Sequence, residues 1–307
     1  MNFGENILDL LSSTISKEIS ISGLSNQLKE KGFSGDYKNT YQKIMQFEKE
    51  NLITTKQIGN SKALTINYNN PKTISKLAMM ELAKKIEFIE KNPKLSQILT
   101  DLTKIDSEFI ALSDSQKSIK LNRIELLILT KNPLDTLKKC NKIQDKISIR
   151  IDCLALKKID FIKLIKYNNT IIPKILSNKI ILSNQEHYFE FIGNTLKESN
   201  LSIKKYDFTD LIESELRYNL SKFGYSEFGA EQGSKDISFE EAIIATLMLG
   251  TARQKTALNE LIARNDFSSE LLFFLAKKYS KQNELKTVTQ KIKSSSKLDY
   301  LNKLLLH

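Results

Sequence analysis

The 307-residue chain is 40% hydrophobic and 27% charged, the balance of a folded globular protein long enough for two or three domains. Its 47 Lys and Arg outnumber 36 Asp and Glu for a net charge of +11, which favours an anionic partner, part of that basicity being the background of a Lys-, Asn- and Ile-rich composition. No apolar run approaches the roughly 18 residues of a membrane span, and the N-terminus MNFGENILDLL lacks a signal-peptide pattern, so no membrane partner and a cytoplasmic location are expected.

Residues 3–13 are predicted as a short helix that buries Ile7, Leu8, Leu10 and Leu11. Residues 18–21 can form a short strand, and Ser22 is the expected cap of a second helix, GLSNQLKEKG, ended by Gly32. After the turn Phe33-Ser34-Gly35, Asp36 caps a third helix that runs to Asn51. In it Tyr37, Tyr41, Ile44 and Phe47, with Leu52 just beyond, recur at spacings of three and four and predict the buried face. The other face carries Lys38, Asn39, Gln42, Lys43 and Gln46, side chains that reach base edges or phosphates in a major groove. Two β-branched runs then flank the turn signal Gly59-Asn60-Ser61, with Lys56 and Lys62 at its shoulders. Helix, short strand, helix, turn, helix, hairpin is the order of a winged helix-turn-helix. The expected partner is double-stranded DNA, with Lys38, Asn39, Gln42, Lys43 and Gln46 in the major groove and Lys56, Asn60 and Lys62 on phosphate or the minor groove. A small domain of the same order that binds another protein is the alternative.

Pro71 opens a connector helix, 72–90, with apolar Ile74, Leu77, Ala78, Leu82, Ile86 and Ile89. It serves either as the seam of a homodimer or as a plain link. Strands are expected at 108–112, 123–130, 147–156 and 180–182. Helices are expected at 135–146, 159–167 and 185–199, with a helical turn at 173–176, which together make a small α/β domain. From Tyr206 onward only helices are expected, at 207–223, 239–249, 252–264, 269–279, 283–293 and 297–306, a bundle that could also pair copies of the chain. The run Leu271 to Leu275 is apolar all round and predicts burial. The fold class is therefore α+β, with domains at 1–70, 94–200 and 201–307 and a connector at 71–93.

The middle domain resembles the small nucleotidyltransferase-like domains that follow a winged helix in archaeal and bacterial proteins. The resemblance spans about a quarter of the chain. Phe109-Ile110-Ala111-Leu112 matches the family's first strand, but Ser113-Asp114 stands where Gly-Ser belongs and Ser118 where a further glycine commonly sits. Arg123-Ile124-Glu125 matches the strand of paired acids with only one acid present, and Asp152 stands for the third. Such a site clamps divalent metal with carboxylates, and a permanent cation at the first ligand position repels it. The resemblance thus implies a vestigial site at Ser113, Asp114, Arg123, Glu125 and Asp152, without catalysis, metal or cofactor.

His187 and His307, the only histidines, are expected to be structural or solvated, and Cys140 and Cys153 support neither a disulfide framework nor a zinc site. The chain is expected to be a DNA-binding transcriptional regulator whose inactive domain senses, dimerises or binds a partner. The alternatives are a Mg-dependent nucleotidyltransferase of a toxin–antitoxin type system and a protein-binding antitoxin or scaffold.

Overall fold

The computed structural model describes residues 2–13, 19–33, 36–58, 61–113, 122–146, 149–166, 171–196, 208–226, 233, 235–293 and 295–306. Its N-terminal unit follows the expected order: α1 (Phe3–Ser13), β1 (Ile19–Ser20), α2 (Ile21–Glu30), α3 (Tyr37–Lys49), β2 (Ile53–Ile58) and β3 (Ser61–Ile66). The three strands form an antiparallel sheet in the order β1-β3-β2. The second helix begins earlier than expected, because Ser20 rather than Ser22 accepts the backbone N–H of Gly23, at 3.1 Å. Gly32 ends the helix in the left-handed region, at φ +80°, where a side chain is strained. Asp36 caps α3 by accepting the N–H of Asn39 at 2.7 Å.

The face of α3 that meets the core is rotated from the expected one. Thr40, Ile44 and Phe47 are buried, whereas Tyr37 and Tyr41 are 54% and 40% exposed. Thr40 tolerates burial because its hydroxyl donates to the Asp36 carbonyl at 2.8 Å, so a polar residue fills a core position.

Helix α4 (Pro71–Lys91) is built into the body of the molecule, packing on α1, on β7 (Lys179–Ser183) and on α9 (Gln185–Leu196). Its buried side includes Ile74, Leu77, Ala78, Met80, Phe88 and, unexpectedly, Glu81. Leu82 and Ile86, expected on the buried stripe, are instead about half exposed and form an open seam with Met79. Glu81 takes the core position because two donors and a nearby cation serve it. It accepts the Ile181 N–H at 3.1 Å and the Lys84 ammonium at 2.8 Å, and Lys179 stands 3.8 Å away. Lys84 also pairs with Asp9 of α1, so one ionic group ties α1, α4 and β7 together. Burial pulls the Lys84 pKa down, but Glu81 and Asp9 outweigh it and hold that pKa above its usual value. For Lys179 burial prevails and the pKa is lowered. Close packing joins the same parts at Gly193 of α9, where an added Cβ would lie 2.3 Å from the Tyr68 side chain.

The second sheet has the order β6-β5-β4-β7, with β4 (Phe109–Ser113), β5 (Arg123–Leu129) and β6 (Arg150–Leu156). Strands β5 and β6 are parallel, joined across α6 (Pro133–Gln144), and the other pairs are antiparallel. All of β4 and nearly all of β5 and β6 are buried, because helices cover the sheet, which explains apolar runs in place of alternation. Helix α5 (Ser96–Thr103), absent from the sequence expectations, packs on α6 and β7; α7 (Lys158–Lys166) and α8 (Ile171–Ser177) complete the unit. Phe109 lies at its centre, with ring centroids of Tyr188, Phe191 and Phe161 at 5.1, 5.9 and 6.3 Å.

A short 3-10 turn, Phe208–Asp210, and α10 (Glu213–Lys222) replace the one helix expected there. Helices α11 (Phe239–Leu249), α12 (Ala252–Arg264), α13 (Ser269–Lys278), α14 (Gln282–Thr289) and α15 (Ser296–Leu305) follow, several starting at Ser or Thr caps. Helix α13 is the hub: Leu271 to Ala276 are buried all round, against α11, α15 and edge strand β6. No helix among the described residues is long and apolar enough to cross a membrane.

Candidate nucleic-acid interface and a sealed carboxylate pair

Helix α3 presents an open polar face. Lys38, Asn39, Gln42 and Gln46 are exposed, as are Tyr37 and Tyr41, which stack with centroids 6.3 Å apart and ring planes 23° from parallel. The contacts that these polar groups make are local. Asn39 donates to Asp36 at 2.8 Å, and Gln46 donates to Glu50 at 2.7 Å. Lys43 differs from the rest: it is half-buried, donates to Gln46 at 2.9 Å and lies 5.1 Å over the Phe47 ring. Its stem covers Gly4 of α1, where a Cβ would come within 2.5 Å of it. Lys43 therefore braces α3 on α1, and the outward ridge of the helix is Lys38, Gln42 and Lys49.

The hairpin continues this face. Lys56 pairs with Ala63 and Gln57 with Lys62 across the β2–β3 ladder; Lys56 is exposed and Lys62 half-buried. Asn60 lies outside the described residues. Glu48 is engaged by the Thr55 hydroxyl, which fastens α3 to β2 and occupies the one acid in the middle of this surface.

The second constellation is closed. Strand register sets Ser113, Glu125 and Asp152 in one row across β4, β5 and β6, as Ser113 is the partner of Glu125 and Glu125 of Asp152. Asp114 lies outside the described residues. Asp152 is fully buried, and both acids are already neutralised. Arg123 lies 3.2 Å from Glu125 and also contacts Asp152, pairing by charge without hydrogen-bond alignment. Arg150 donates to Asp152 at 3.0 Å, and Lys278 donates to Glu125 at 2.8 Å. Arg150 also donates to the Lys277 carbonyl. The Lys277 ammonium donates to Asn141 at 3.2 Å, and burial lowers its pKa.

Two carboxylates thus meet three cations. A divalent ion placed here would have to displace guanidinium and ammonium groups and then sit among them, at an electrostatic cost. Arg123, singled out in the sequence as a cation beside Glu125, contacts both acids. Arg150 and Lys278 were missed. Lys278 is 153 residues from Glu125 in sequence and no local pattern marks it.

Cys140 and Cys153 are buried free thiols, and a hydrogen bond with Cys140, with burial, pushes the Cys153 thiol well up. His187 is about half exposed, with Nε2 3.3 Å from Glu108; His307 lies outside the described residues. No family model, curated protein or solved structure matches this chain.

Proposed function

We propose that the chain is a DNA-binding regulator in which the N-terminal unit is a winged helix-turn-helix and the sheet unit is an inactive nucleotidyltransferase-like domain. The observation that carries this reading is the solvent-facing ridge of Lys38, Gln42 and Lys49 beside a hairpin bearing Lys56 and Lys62. Lys and Gln are groups that meet phosphate and base edges, and the acids of this surface, Asp36, Glu48 and Glu50, are each held by a neighbour. Neutralising about six phosphates would cost roughly a thousandfold in affinity between low and physiological salt. A fluorescence-anisotropy titration with mixed-sequence duplex DNA at two salt concentrations tests this. Salt-sensitive binding is the expected result, and no binding at low salt removes the reading.

The inactive-domain reading rests on the ion pairs of Glu125 and Asp152. One observation favours the enzymatic alternative, the alignment of Ser113, Glu125 and Asp152 in a single row. There an acceptor oxygen would attack the α-phosphorus of a nucleoside triphosphate and release pyrophosphate. Transfer of labelled nucleotide with Mg²⁺ that Glu125→Gln abolishes would overturn the inactive assignment.

Self-association through α4 belongs to the same proposal. Met79, Leu82 and Ile86 form an apolar stripe that is 71%, 46% and 50% exposed. The stripe recurs at spacings of three and four along one face of the helix, the pattern of a two-helix seam. Light scattering should give a dimer that Leu82→Glu dissociates; a wild-type monomer at high concentration removes the dimer.

A further inference from the structure

The rings that the core does not use point to a ligand class. We infer that the Tyr37–Tyr41 stack is a platform for unpaired bases, so that the surface of α3 prefers single-stranded or locally opened nucleic acid over closed duplex. This inference rests on the nucleic-acid reading above and narrows it.

Four observations carry it. Phe33, in the turn that leads into α3, and Tyr37 and Tyr41, on its first two turns, are the exposed large aromatics of the N-terminal unit and fall within nine residues of one another. Tyr37 and Tyr41 are held nearly parallel at 6.3 Å, and their exposure leaves ring surface in solvent. The polar residues interleaved with them, Lys38 and Gln42, suit a phosphodiester and a base edge. The carboxylate nearest the rings, Asp36, is spent on the Asn39 backbone and side chain. An apolar protein partner would have no use for the Lys38 cation and the Gln42 amide beside the rings, whereas a nucleic-acid strand uses both components.

Closed duplex gives such rings little to do. Its bases are stacked on each other and offer only their edges to the groove. A single strand splays its bases, and each can extend an aromatic stack whatever its sequence, with lysines tracking the backbone. The geometry of α3 is that of an exposed stack with a cation at its side.

The test uses the full chain, with fluorescein-labelled oligothymidylate, oligouridylate and a mixed-sequence duplex of equal length. Single strands should bind about tenfold tighter than duplex, a size consistent with one base–aromatic stack. The variant Tyr37→Leu/Tyr41→Leu keeps apolar bulk and removes the π faces. It should lose about that factor on single strands while duplex binding and Tm stay unchanged, and Tyr37→Phe/Tyr41→Phe should restore it. A leucine variant that binds both forms as wild type does overturns the inference and leaves the DNA reading intact. A wild-type chain that binds none of the three probes overturns both, and the rings are then a protein-docking face.

Discussion

Lys38 and Gln42 of α3 stand in solvent with their neighbours satisfied locally, whereas Glu125 and Asp152 of the sheet are buried and held by Arg123, Arg150 and Lys278 from three different elements. The difference is one of solvent. A surface charge costs little to leave without a partner, since water and salt screen it, so a helix can keep its cations available for phosphate. A buried carboxylate has no such freedom, and the fold must deliver a cation to it wherever in the chain that cation resides. The open surface leaves its polar groups in water, and the closed one holds α13 on the sheet.

The largest effect expected from breaking this contrast is that of Asp152→Ala. It leaves a hole and removes one partner from Arg123, which keeps Glu125, and one from the partly exposed Arg150, and should cost about 1–3 kcal/mol in denaturant unfolding. A loss below about 1 kcal/mol would mean that water reaches the cluster and that it is not closed. Lys278→Met is milder, because Glu125 keeps Arg123; roughly 1–2 kcal/mol is expected, read as a lower urea midpoint.

Smaller still is a pH effect at the junction of α4 and β7. Folded Lys179 releases its proton below the usual 10.5 because it is buried, so between that lowered pKa and 10.5 the unfolded chain binds more protons. The penalty of charging Lys179 is complete below the folded pKa and disappears as pH rises through this window. Stability contributed by this group therefore increases with pH there, and Lys179→Met should flatten the rise. Lys84 opposes it at the top of the range: its raised pKa keeps its ion pairs intact up to 10.5 and loses them only as pH climbs through the folded value. Melts of wild type and Lys179→Met across alkaline pH separate the two contributions.

The smallest effect on stability, within about 0.5 kcal/mol, is expected for Lys38→Ala/Gln42→Ala, whose side chains touch no core. Duplex affinity should nevertheless fall, with the salt slope shallower by about one ion for the lost lysine. Unchanged affinity and slope would place the contact surface elsewhere.

Much of the architecture could be read from local pattern. The cap at Asp36, the C′ glycine Gly32 and the hairpin ladder stand where local sequence put them, since each depends on residues within a few positions. Errors came where a polar residue took a core place. Thr40 displaced Tyr37 and Tyr41 from the buried face, and Glu81 shifted the buried stripe of α4 away from Leu82 and Ile86. Helix α5 escaped notice because eight residues offer little more than two turns of periodicity. Of the carboxylate cluster, Arg123, Glu125 and Asp152 could be singled out along their strands, but not the cations that close it.

By itself the sequence determined an α+β chain, the order of its N-terminal helices and hairpin, the strands that fill the middle and the helices that end it. These follow from short-range periodicity, capping and turn chemistry. Only the tertiary structure decided that Lys43 braces α1 while Lys38 and Gln42 stay open, that Tyr37 and Tyr41 face solvent, and that Lys278 reaches across to Glu125. The physical reason is the cost of burial. Which side chain is excluded from water, and which distant charge must then neutralise it, depends on how the elements close upon one another.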